Sequence, residues 1–246
     1  MSELLPQLEK TTSIAPIEQL LVSSEFDGSK GTNRAESSRP LTGVKNDIEA
    51  IRVWLTRYTE TKTTFDNYRK EAERLLLWST IQLRKPLSSL THEDLCAYQY
   101  FLIDPQPTEF WVMQSGRRFA RSHPEWRPFV GPLSSASQRQ STIILSTLFS
   151  WLVNAGYLAG NPLSLSRRRT RKAQPRLTRY LEEDLWNEVK TTLEMMLKES
   201  KRDREHYSRI RWLFSSLYLC GLRISEVVEN TMGDFFYRRD RHGNEC

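Results

Sequence analysis

Arg223 and Glu226 are the residues of this chain whose types and spacing best suit chemistry on a phosphate. They follow an apolar helical stretch, residues 212–220, and the helix-stopping Gly221 in the string YLCGLRISEV. A guanidinium presents a planar fork of donors that fits two anionic oxygens and stays charged at any working pH. Fixed in advance, such a fork stabilises charge that develops on a transferring phosphoryl group. Glu226, three residues on, shares a helical face with Arg223 and can orient it or bond nearby backbone. The same spacing also describes an ordinary surface ion pair.

Two further groups of cations point to a polyanion. Arg167, Arg168, Arg169, Arg171 and Lys172, then Arg176 and Arg179, run without an intervening acid. Such a run is either a solvated linker or a strip laid along phosphates, and the mutual repulsion of its charges favours the strip. Arg117, Arg118, Arg121 and Arg127 alternate with Phe110, Trp111, Phe119, Trp126 and Phe129 in a proline-rich stretch, residues 104–133. That mixture suits backbone phosphates and base stacking. It equally suits an excursion whose tryptophans plug into the domain. A net charge of +6 and a pI near 9.3 agree with a polyanionic partner.

Other chemistries find little support. Cys96, Cys220 and Cys246 are far apart and make no metal-binding spacing, and His92-Glu93 lacks the second histidine of a zinc protease motif. No metal site is therefore expected. Unpaired cysteines suit a reducing, cytoplasmic setting. No secretory leader is visible, and the longest apolar run, residues 143–153, is too short for a bilayer, so no membrane partner is expected. The mean hydropathy of −0.58 predicts a wet surface.

The elements that must position these residues are helices. Residues 1–44 read as a flexible tail, with at most a short docking helix over residues 17–22. From Asn46, Ile48, Ile51, Leu55 and Tyr58 draw one apolar stripe. Phe65, Tyr68, Ala72, Leu75 and Leu76 draw a second, with Arg69, Lys70, Glu73 and Arg74 on its outer face. Thr91 to Asp94 forms a near capping box that opens a third helix carrying Leu95, Tyr98, Phe101 and Leu102. Ser134 or Ser137 caps a fourth, in which Ile143 or Ile144, Leu148, Trp151 and Leu152 face inward and Gly156 suits a left-handed end. Acidic residues 182–184 open a helix with Leu185, Val189, Leu193 and Met196. Residues 198–206 read as a charged break before a buried helix over 207–220, and residues 234–237 as the start of a strand.

Four segments, two of them distinct motifs in the expected order, resemble the tyrosine recombinases, the phage integrase family. LYLCGLRISEVVEN, residues 217–230, resembles the box that holds the family's first catalytic arginine. LFSWLVNAGYLAGNPL, residues 148–163, looks like the closing helix of its core-binding domain. TFDNYRKEAERLLLWS and LSSLTHEDL resemble that domain's early helix and third-helix entry. The resemblance covers roughly residues 45–246. It implies a mainly α chain: a helical, SAM-like core-binding domain at 45–163, a basic linker at 164–176, and the first, mostly helical part of an α+β catalytic domain at 177–246.

By that resemblance Arg223 is the first catalytic arginine and Glu226 its support. Arg117, Arg118, Arg121, Arg167, Arg168, Arg169, Arg171, Lys172 and Arg176 are expected on DNA. The family joins DNA strands through a phosphotyrosyl intermediate, needs no cofactor, and assembles as a tetramer on double-stranded DNA around which its two domains close. Its hairpin lysine, His-x-x-Arg box and nucleophilic tyrosine have no counterpart here, and Tyr237 stands too close to Arg223 to serve. The expectation is thus DNA binding without cleavage by this chain alone. The alternatives are an inactive truncated integrase or a helical DNA-binding regulator.

Overall fold

The computed structural model describes residues 14–36, 41–114, 119–165, 181–229, 231 and 233. The chain divides into two compact units, Met1–Arg169 and Thr170–Cys246, a division inside the expected basic linker. The described residues are mainly helical and contain no strand, only two isolated bridges. The expected strand at 234–237 lies outside them.

In the first unit the helices begin where capping chemistry dictates. α1 (Asp47–Leu55) starts at Asn46, whose side chain accepts the Glu49 amide at 2.9 Å. α2 (Lys62–Leu77) runs on into a π-helical turn, Trp78–Gln82. α3 (His92–Ile103) opens with a full capping box between Thr91 and Asp94. α4 (Thr108–Trp111) is a single turn inside the proline-rich stretch. α5 (Ser135–Asn154) starts at Ser134. It ends in a Schellman motif: the Tyr157 amide donates to Leu152 O, the Gly156 amide donates to Val153 O, and Gly156 takes φ 71°.

α1, α2 and α3 all pack on α5. Ile51, Trp54, Leu75, Leu76, Tyr98, Leu148 and Phe149 are almost fully removed from water in one core. Of the two isoleucines, Ile144 is the inward one and Ile143 is exposed. The aromatic residues of 104–133 join this core. Trp111, Trp126 and Phe129 are buried, and Val112 bridges Phe129 in parallel.

Two expectations for this unit need correction. Glu73 and Arg74, read as an outer polar face, are buried at 1% and 8% exposure. They tolerate this because each is paired: Arg74 bonds Glu71 and the carbonyl of Pro128, and Glu73 binds Arg121. The supposed tail also packs, over residues 14–36. Ile17 and Leu20 are buried after a single turn closed by the Gln19 amide on Pro16 O. Farther on, attachment is mostly by hydrogen bonds to the ends of other elements. Asn33 exchanges two bonds with Gly160, its amide reaches Ser88 O, and Ala35 reaches Tyr157 O. The Arg34 guanidinium lies 3.8 Å from the Tyr157 ring centroid.

The second unit contains α6 (Glu183–Glu194), α7 (Lys201–Cys220) and α8 (Ile224–Glu229). The expected break at 198–206 is largely helix, because Ser200 and Asp203 make a capping box that starts α7 early. Trp186 and Leu193 of α6 are buried, and Trp186 stacks on Tyr218 at 4.1 Å. The expectation of a buried α7 is not met, since no residue of it is buried. Among the described residues it packs chiefly on α6 and α8, which leaves Leu219 at 74% exposure.

Candidate nucleic-acid interface

The geometry around Arg223 begins with a helix end. Gly221 takes φ 63°, the left-handed conformation that terminates α7, and three residues later, at Ile224, the chain starts α8. Arg223 therefore occupies the capping position of α8 and Glu226 its third residue. Glu226 Oε2 accepts the Arg223 amide at 2.7 Å, and Oε1 accepts Arg223 Nη1 at 3.0 Å. One carboxylate thus satisfies an orphan amide of the helix start and restrains the guanidinium. The Arg223 amide, and then its side chain, hold the Glu226 carboxyl below its ordinary range. The Arg223 side chain remains 82% exposed, open to an anion from solution. The spacing read from sequence is realised as a contact, with both roles combined.

Arg121 is engaged elsewhere. Its Nη1 and Nη2 grip the two oxygens of Glu73 at 3.0 and 2.5 Å, and Nη2 also reaches Glu18 Oε2 at 2.6 Å. Partial burial pulls against its charge, but the hydrogen bonds it donates to Glu73 and Glu18 raise its pKa above the usual value. Arg69 completes the cluster on Glu18 at 3.1 Å. Arg127 turns its Nη1 to the carbonyls of Pro124 and Trp126. These two arginines of the 104–133 stretch bond groups of their own fold. Arg117, Arg118, Arg167, Arg168, Arg169, Arg171, Lys172 and Arg176 lie outside the described residues.

The solvent face of α5 is a feature the residue-by-residue reading passes over. Ser135, Ser137, Arg139, Gln140, Ile143, Thr147 and Ser150 are exposed along it. Hydroxyls, an amide and a guanidinium are the groups that bond phosphate oxygens and base edges. From Trp126 to Leu181 the sequence has no Asp or Glu. The signal is present in the sequence as an absence of acids, visible only over a long window.

Among the described residues no cluster of three or more His, Cys, Asp or Glu is placed to hold a metal ion, and no helix is long and apolar enough to cross a membrane. Comparison with protein-family models, with curated proteins and with solved structures finds no match to this chain.

Proposed function

We propose that this chain binds double-stranded DNA as the core-binding domain and first catalytic portion of a tyrosine recombinase or integrase. The observation that carries the reading is the acid-free stretch from Trp126 to Leu181. It combines the polar outer face of α5 with the basic run 167–179. A stretch of sequence that carries cations and no carboxylates over such a length favours a polyanionic partner. The α5 side chains would bond the duplex directly, and the basic run would follow its backbone.

In the second unit, Arg223 would hold a non-bridging phosphate oxygen, with Glu226 keeping its fork in place. The charge that builds on those oxygens during phosphoryl transfer is what a fixed guanidinium stabilises. Arg223 and Glu226 would form one corner of such a site. The expected activity is recognition of DNA, shared with further protomers on the same duplex. Free thiols at Cys96 and Cys220 suit a cytoplasmic place of action.

The test is duplex binding by fluorescence anisotropy across a potassium chloride series. Alanine at Arg167, Arg168, Arg169, Arg171 and Lys172 together is expected to flatten the slope of log affinity against log salt by up to about 4.5, at roughly 0.9 per phosphate contact. An unchanged slope and affinity would remove the linker from the interface.

A further inference from the structure

Cys96 and His92 stand one turn apart at the start of α3 and form a pair that the DNA-binding reading does not use. His92 Nδ1 lies 3.1 Å from the carbonyl oxygen of Pro162, and His92 Nε2 lies 3.6 Å from Cys96 Sγ. A carbonyl oxygen can only accept, so Nδ1 carries the proton of the neutral ring. The Nε2 lone pair then faces the sulfur, and the thiol proton has a base to receive it. Nucleophile, base and a third group that orients the base are the parts of an activated thiol. Cys96 is only half-buried, so a small reagent can reach it. Cys220, exposed at the C-terminal end of α7, serves as the reference thiol.

We propose that Cys96 is a modification site, a base-assisted thiol that reacts with soft alkylating electrophiles and with hydroperoxides. With a hydroperoxide, the thiol proton passes to His92 Nε2 and the sulfur attacks the terminal peroxide oxygen. The O–O bond breaks, and the departing oxyanion takes the proton back from the imidazolium. Sulfur is oxidised by two electrons to a sulfenic acid and the peroxide is reduced by two to an alcohol or water. Pro162 opens the 3-10 turn Pro162–Leu165, where the chain leaves the helical core toward the basic run. A group added at Cys96 displaces the His92 contact and so acts on the anchor of that exit.

The test uses the full chain with limiting iodoacetamide at pH 7 and peptide mass spectrometry to follow each cysteine. Half-buried Cys96 is expected to alkylate at least threefold faster than exposed Cys220. His92→Gln, which keeps a polar side chain but removes the base, should slow Cys96 at least threefold and leave Cys220 unchanged. After hydrogen peroxide, dimedone should label Cys96 first. Cys96 reacting no faster than Cys220 in the unaltered chain overturns the proposal, as does a folded His92→Gln variant with an unchanged Cys96 rate. Should that variant fail to fold by circular dichroism, the ratio of the two rates in the unaltered chain decides.

Discussion

Replacing Arg121 by alanine separates a structural arginine from a DNA-binding one. In the intact protein its fork closes on both oxygens of Glu73 and on Glu18, and its guanidinium lies 5.3 Å from the Trp126 ring centroid. Glu73 is 1% exposed and accepts one other bond, from the Ile17 amide at 2.7 Å. Alanine would strand a buried carboxylate on a single donor. Breaking a buried pair in this way costs about 3–5 kcal/mol. Arg121 itself is 30% exposed, so water can enter the gap and relieve part of the penalty. The expected loss is about 2–3 kcal/mol, roughly 5–10 °C in Tm for a unit of this size. Urea unfolding followed by circular dichroism measures it. Adding Glu73→Gln to Arg121→Ala should cost much less than the two single losses combined, because the stranded charge is gone. Amides near Ile17 should lose hydrogen-exchange protection, since Glu73 anchors that segment too. The salt slope of DNA binding should stay put. A variant as stable as the parent, with a slope reduced by about 1, would refute the structural role and return Arg121 to the phosphates.

Asp47 gives a pH test. Burial raises its carboxyl from 3.8 to about 6, against hydrogen bonds from the Ser88 amide, the Tyr157 hydroxyl and the Ser88 hydroxyl. A folded-state value above the unfolded one means stability that is complete below about pH 4 and withdrawn as pH rises through 6, up to about 3 kcal/mol. The stability difference between the parent and Asp47→Asn should shift by that amount from pH 4 to 7, against the parent; a constant difference in urea titrations would refute it. Gly28→Ala should destabilise by more than about 2 kcal/mol, because Gly28 takes φ 84° and an added methyl would strike the Asp47 carboxylate. Gly43→Ala, with open space around it, should stay within about 0.5 kcal/mol, and equal losses at the two sites in thermal melts would count against the packed N-terminal segment. Gly221→Ala meets no neighbour but must hold φ 63°, so the expected loss is about 1 kcal/mol by urea unfolding of the second unit, and a gain would show that the left-handed helix end is not kept in solution.

What the sequence displays and what it conceals follow from the range of the interactions. Caps and apolar stripes are local, so Thr91, Ser134 and the inward residues of α1, α2 and α5 can be read directly. Ser200 and Asp203 carry the same local signal as Thr91 and Asp94, but the surrounding charge masks it as a break. Residues 14–36 and Glu73 escape a sequence reading for a different reason. Their partners lie far away in the chain, at Ser88, Tyr157, Gly160 and Arg121, and backbone bonds of that kind leave no periodic trace. Arg223 and Glu226 fall between these cases. The spacing of a capping residue and its third helical neighbour is also that of a charged pair on one face, so one sequence pattern serves both uses. On the proposed reading this arrangement would favour phosphate binding. Glu226 is tied to the amide of Arg223 itself, so the carboxylate that orients the guanidinium is fixed by the same backbone that carries it. Little ordering then remains to be supplied when an anion arrives, which is the condition under which a single exposed arginine binds phosphate most effectively.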